Sequence, residues 1–172
     1  PSSLRWGSVD ASIVRYPMAP GMGRQRQAES MVRAARATAE RLHRAIGFDL
    51  VNAHWLDPDG IAAVEIAREL GLPLVLSARG CDVNLNLRVP GIRERVLHAV
   101  HGAAAVTTVS TQLKAELVGA GVGADHVTAI PNGVDTSRFF LRDRATARAA
   151  LSLAPDERLI VCVSRLSDEK GI

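Results

Sequence analysis

An α/β fold, a parallel sheet with helices on both faces, is what this 172-residue sequence predicts, and three observations carry it. From residue 49 onward, short apolar runs alternate with longer helix-forming stretches. The runs start 23, 31, 23 and 32 residues apart, which leaves room for the crossover of about a dozen residues that parallel strands need. The runs are continuously apolar rather than alternating, as strands covered on both faces are. Together they describe a parallel sheet covered on both faces. At a soft measure of about 150 residues per domain, the length gives one domain and a fraction.

The elements follow in order. Residues 9–16 are expected as a first strand, followed by a Pro/Gly loop at 17–23. Residues 24–46 read as one amphipathic helix. At about 100° per residue, Ala28, Met31, Ala35, Leu42 and Ile46 gather on one side, and Arg26, Arg33, Arg36, Arg41 and Arg44 on the other. Glu29–Arg33, Arg36–Glu40 and Glu40–Arg44 stand four apart on the charged side. The helix is expected to cover the sheet with that side in water. Its interleaved glutamates weaken the alternative, peripheral contact with an anionic membrane. Further strands are expected at 50–53, 73–78, 104–109, 127–130 and 159–163, and helices at 60–70, 92–101, 111–119 and 144–151. Ser110 or Thr111 can cap the helix after the third run, and Gly71 ends the one after the first.

Composition removes several function classes. Hydrophobic residues at 47% against 23% charged argue for a packed domain, and aromatics at 3% leave its core to Val, Leu, Ile and Ala. No apolar run approaches the roughly 18–20 residues of a membrane span. Cys81 and Cys162 form no C-x-x-C and no disulfide framework, so a reduced, cytoplasmic protein is expected. The basic excess lies in residues 1–50. Without a basic run or an aromatic platform, nucleic-acid binding is not expected. The chain opens on Pro1 rather than Met and stops on Lys170-Gly171-Ile172, so it is expected to be a piece of a longer protein.

In open α/β sheets ligands bind beyond the carboxyl ends of the strands, and each run here leads into polar residues. The first gives His54-Trp55-Leu56-Asp57-Pro58-Asp59-Gly60, the second Ser77-Ala78-Arg79-Gly80-Cys81-Asp82, and the third Ser110-Thr111. The fourth gives Pro131-Asn132-Gly133-Val134-Asp135 and the fifth Ser164-Arg165-Leu166-Ser167-Asp168-Glu169-Lys170-Gly171. His54 suits a general base, a sugar ligand or a polar strand end. Arg79 and Asp82 can simply pair across a turn that Gly80 permits. Asp57 and Asp59 suit the turn and helix start around Pro58 and Gly60, and Asn132-Gly133 is a turn signal. Arg165 and Lys170 differ, because two cations on one short loop ahead of Gly171 suit a diphosphate. Lys114 and Lys170 are the only lysines among 21 basic residues. Gly21-Met22-Gly23 is no dinucleotide fingerprint, since Arg26 stands at the third glycine. Ser167-x-x-Lys170 lacks the companion motifs of a β-lactamase.

Taken together, His54-Trp55-Leu56-x-Pro58-Asp59-Gly60, Arg79-Gly80-x-Asp82, Ile130-Pro131-Asn132-Gly133-Val134-Asp135 and Ser164-Arg165-Leu166-x-x-Glu169-Lys170-Gly171 resemble the family 4 glycosyltransferases in order and spacing. The resemblance runs from about Asp49 to Ile172. It implies a GT-B fold, two Rossmann-like domains around a cleft, with residues 1–131 as the acceptor-side domain. Residues 132–172 would form the interdomain crossing and the start of the donor-side domain, its first strand at 159–163.

The implied activity is sugar transfer, with retention and no required metal or cofactor, from a UDP- or GDP-linked nucleotide-sugar donor. The acceptor would be a sugar, lipid-linked or small molecule, in cell-envelope or glycoconjugate biosynthesis at the inner face of the membrane. Arg165 and Lys170 would bind the donor diphosphate and stabilise the leaving charge. His54, Arg79 and Asp82 would face the cleft, and Asn132 and Gly133 would lie at the crossing. Many relatives carry His at the place of Arg79, and Arg cannot act as a base, so Arg79 is carried over as a ligand. Asp57 stands where an aromatic residue is frequent. The family's glycine-rich loop would precede Pro1 and its paired glutamates would follow Ile172, so residues 1–172 alone are expected to be inactive. The competing readings are a nucleotide-sugar epimerase or hydrolase of the same fold, a non-catalytic Rossmann-type binding module, and a dehydrogenase.

Overall fold

The computed structural model of the chain describes residues 2–18, 23–168 and 171. The chain divides into two compact units, Pro1–Asn132 and Gly133–Ile172. Residues 19–22, most of the expected Pro/Gly loop, and Glu169 and Lys170 lie outside the described residues.

The first unit opens with a hairpin of β1 (Ser2–Trp6) and β2 (Val9–Ile13), paired antiparallel with Leu4 opposite Ala11 and Arg5 opposite Asp10. A single strand at 9–16 was the expectation. The difference comes from Gly7, which at φ +60 turns the chain back over two residues so that residues 2–6 pair with 9–13. The hairpin forms a sheet of its own.

Helix α1 (Arg24–Ile46) has the expected bounds and ends where Gly47 turns left-handed, its N–H donating to the His43 carbonyl at 2.8 Å. It packs on α2 (Ile61–Leu70) and on the 56–60 turn, burying Ala28 and Val32. One expected surface pairing differs. The Arg36 guanidinium reaches across to Glu69 of α2, donating from Nε at 2.8 Å and Nη2 at 2.5 Å, while Arg44 keeps the i,i+4 contact with Glu40 at 3.8 Å. A planar fork on a carboxylate outcompetes a single point contact along the helix.

The main sheet holds β3 (Val51–His54), β4 (Leu74–Ala78), β5 (Ala105–Thr108) and β6 (Val127–Ala129) in that order, all parallel. Helices flank it. α2 packs on β3 and β4 and touches α4 (Ile92–Gly102), while α5 (Thr111–Gly119) packs on β5 and β6 and meets the short α3 (Cys81–Asn84). The buried core is aliphatic, built from Leu74, Leu76, Ala78, Val106 and Val127 of the strands with Ala63, Ala67, Val96, Val100, Leu113 and Leu117 of the helices. Leu56 and Val83, from the loops that follow β3 and β4, close it at one end. Ser110 caps α5, its hydroxyl accepting the Leu113 N–H at 3.2 Å.

The second unit carries α6 (Arg144–Ala150), capped by Asp143, which accepts the Thr146 N–H at 2.8 Å. Residues 159–163 are exposed and pair with no strand among the described residues. A parallel strand is stable only between neighbours that bond its backbone and cover its faces, and this unit provides none there.

Candidate functional site at the carboxyl edge of the sheet

Because all four strands run in one direction, His54, Ala78, Thr108 and Ala129 finish along a single edge, with His54 in register with Ser77 and Ala78 with Thr108. Beneath that edge a row of polar side chains crosses three strands. Thr107 Oγ1 donates to Ser77 Oγ at 2.9 Å, and Ser77 Oγ to Asn52 Oδ1 at 3.4 Å. The apolar reading of these runs hid this row.

The loop after β3 leaves the sheet sharply. His54 is exposed, and Trp55 takes φ +82 while its N–H still donates to the Ser77 carbonyl at 2.9 Å. Leu56 then plunges into the core, and the chain returns so that the Gly60 N–H meets the Trp55 carbonyl at 2.8 Å. A methyl group on Gly60 would stand 3.1 Å from that carbonyl and 3.2 Å from Leu76 Cδ2, so the position admits glycine because of packing rather than dihedral angle.

The loop after β4 turns at Gly80, whose φ of +142 excludes most other residues. The Arg79 side chain is exposed and Asp82 is completely buried. The sequence allowed Arg79 and Asp82 to pair as side chains. Instead, Asp82 Oδ1 accepts the backbone N–H groups of Arg79 at 3.0 Å and Gly80 at 2.7 Å. Its Oδ2 accepts the N–H of Leu56 at 3.1 Å and, shared, that of Arg79 at 3.1 Å. With no exposed surface, Asp82 spends both oxygens on the backbone of the two loops.

Asp57 is also buried, and Arg95 of α4 donates to its Oδ1 at 3.0 Å. Local pattern assigns Arg95 no role, since nothing local connects positions 38 apart. Asp59 is half-buried nearby. Burial pushes its carboxyl above the ordinary range, and the adjacent Asp57 and Asp82 carboxylates push the same way.

After β6, Ile130 still donates to the Thr108 carbonyl at 2.7 Å, and Asn132 is exposed. The Asn132-Gly133 pair makes no turn. The turn falls at 136–138, where Asp135 Oδ1 accepts the Ser137 N–H at 3.0 Å and its hydroxyl at 2.6 Å; those bonds hold the Asp135 carboxyl below its usual range. In the second unit Arg165 is exposed, its carbonyl accepting the Ser164 hydroxyl at 3.0 Å.

The edge of the first unit therefore brings His54, Arg79 and Asp82 together, with Asp57, Asp59 and Arg95 around them. Arg165 belongs to the second unit, and Lys170 lies outside the described residues. Among the described residues no three His, Cys, Asp or Glu side chains converge as metal ligands would. No helix among them is long and apolar enough to cross a membrane.

Residues 5–138 match the family model described as Glycosyltransferase Family 4. The chain is 35% identical over 127 residues to the protein named "Putative teichuronic acid biosynthesis glycosyltransferase TuaC" in Bacillus subtilis, covering 72% of this chain and 32% of that protein. It is 33% identical over 144 residues to a D-inositol 3-phosphate glycosyltransferase of Actinosynnema mirum, covering 77% of this chain and 34% of that one. A third relative, a D-inositol 3-phosphate glycosyltransferase of Segniliparus rotundus, is 31% identical over 139 residues, covering 75% and 30%. The chain thus spans about a third of the length of these curated relatives.

Proposed function

Since this chain belongs to the family 4 glycosyltransferases, we propose that the whole protein transfers a sugar from a nucleotide-sugar donor to a hydroxyl-bearing acceptor, with retention at the anomeric carbon. One observation carries the reading beyond family membership. Two exposed polar side chains, His54 and Arg79, stand at neighbouring strand ends on loops that one buried carboxylate holds. That is how a rigid scaffold presents groups to a cleft at the carboxyl edge of a parallel sheet.

In this assignment His54 and Arg79 face the acceptor and the transferred sugar. Arg79 serves here as a ligand, its guanidinium presenting donors to substrate oxygens. Asn132 and Gly133 contribute where the chain passes from one domain to the other. Arg165 and Lys170 hold the diphosphate of a UDP- or GDP-linked donor, placing fixed cations where negative charge develops as the sugar departs. No metal is required in this assignment. The name of the Bacillus subtilis relative supports a role in making a cell-envelope polymer, and the inositol-phosphate enzymes support a small polyol acceptor.

The test uses the full-length gene product with UDP- and GDP-sugars, following release of nucleoside diphosphate. Arg165→Ala and Lys170→Ala are each expected to lower transfer by roughly 10²-fold or more, the usual scale for a lost charge contact at a developing anion. Unchanged donor binding and turnover in both variants would overturn the assignment of that loop. Calorimetric titration with UDP, GDP and NAD sets apart the dehydrogenase, which binds NAD, and the plain binding module, which has no reason to depend on Lys170, while nucleoside diphosphate release that requires an acceptor sets apart the epimerase or hydrolase.

A further inference from the structure

We propose that Asp82 is the positioning residue of this edge: it touches no substrate, and it sets the placement of His54 and Arg79 by fastening both of their loops to one carboxylate. The kinetic consequence rests on the glycosyltransferase reading above; the structural consequence does not.

Asp82 is wholly buried and its two oxygens divide their work. Oδ1 serves its own loop, accepting from Arg79 and Gly80. Oδ2 reaches 26 positions back along the chain to the Leu56 N–H, with Arg79 sharing it. Leu56 is two residues beyond His54, and the residue between them is Trp55 at φ +82, a conformation that costs a non-glycine residue free energy and persists only where its surroundings hold it. On the other side Gly80 at φ +142 folds the chain back so that the Arg79 N–H faces the carboxylate. Both loops therefore leave their strands through unusual backbone angles, and both are held at the amide that follows or precedes the bend. Hydrogen bonds to an ionised acceptor are the stronger kind, and here they join two loops that β-pairing alone would release at the strand ends.

The oxygens can be separated. An Asn at this position is isosteric but has one acceptor. Facing Arg79 and Gly80, it keeps two bonds and turns its NH₂ toward the Leu56 N–H, so Asp82→Asn frees the loop that carries His54 and leaves that of Arg79 in place. Gly80→Ala acts from the other side, straining the bend with Asp82 intact.

The experiment takes full-length protein, wild type and both variants, through hydrogen exchange and steady-state kinetics with a nucleotide sugar. In Asp82→Asn the Leu56 amide is expected to lose protection while those of Arg79 and Gly80 keep it. Turnover per folded molecule should drop by about 10²-fold, as roughly 1 Å of misplacement does. The donor KM and the shape of the pH profile should stay as in wild type. Gly80→Ala should reproduce the kinetic pattern with the Leu56 amide still protected, which keeps the proposal testable should Asp82→Asn fail to fold. Unchanged turnover per folded molecule with the Leu56 amide exposed would overturn it, as would loss of one limb of the pH profile, the mark of a proton-transfer role. If wild type transfers no sugar, the functional reading fails, and the exchange pattern still decides whether Asp82 fastens the loops.

Discussion

Gly60 and Gly102 both sit at helix ends with negative φ, yet replacing each with alanine has opposite signs. Alanine in place of a helical glycine gains about 0.5–1 kcal/mol from the restricted unfolded chain. At Gly102 the added methyl meets Val64 Cγ1 at 3.6 Å, an ordinary contact, so Gly102→Ala should raise the melting temperature. At Gly60 it meets the Trp55 carbonyl at 3.1 Å, and that oxygen cannot retreat because it accepts the Gly60 N–H. Overpacking costs about 1–3 kcal/mol, which outweighs the gain, so Gly60→Ala should lower the melting temperature. Asp59 makes a pH prediction. Its folded carboxyl titrates above the unfolded one, so the stability it contributes is complete at acid pH and is lost as pH rises through the folded value. Asp59→Asn should therefore be more stable than wild type at neutral pH, with the advantage shrinking to nothing under acid conditions. Urea midpoints across that range check this, and an advantage that grows toward acid would refute it.

The elements themselves were legible where the cause is local. α1 ends at Gly47 and α2 at Gly71 because a glycine stands where the chain turns left-handed, and the four strands of the main sheet follow from runs of aliphatic residues. The β1–β2 hairpin carried a readable signal too, Gly7-Ser8 between two alternating runs, although its first strand is too short and polar to stand out. What local pattern cannot reveal is which distant side chains meet. Arg95 looked like one more charge on a helix surface, and it pins the 56–60 turn to α4 through Asp57. Breaking that pair should be asymmetric. Arg95→Met leaves a fully buried carboxylate without its guanidinium and should cost about 3 kcal/mol. Asp57→Asn leaves an arginine that is already about a fifth exposed and can turn toward water, so it should cost about 1 kcal/mol. The double variant should resemble Asp57→Asn alone, and a strictly additive double-mutant cycle would show that the pair does not couple the turn to α4.

Among the described residues the buried core belongs entirely to the first unit: every member of the core cluster lies between Leu56 and Val127. None of the described residues of the second unit is buried, and large side chains such as Phe139, Leu141, Ile160 and Val163 are open to solvent. Local opening free energy follows buried contacts, so the two units should differ in kind rather than degree. Hydrogen exchange on the 172-residue chain is expected to show slow amides in β4, β5 and the facing helices α4 and α5. Residues 133–168 should exchange near the rate of an unstructured chain, except around the Asp143 cap and the bonds Arg148 makes to the Ala154 and Glu157 carbonyls. Ending the chain after Asn132 should then leave the melting temperature of the sheet unchanged, because no core residue is removed. Slow exchange at residues 159–163, or a melting temperature that falls on shortening, would mean that this segment gains a partner in solution and that the second unit stabilises the first. The proposed chemistry needs the opposite division: a first unit rigid enough to hold His54 and Arg79 in place by itself, and a donor-binding loop around Arg165 that acquires its order from the rest of a second domain.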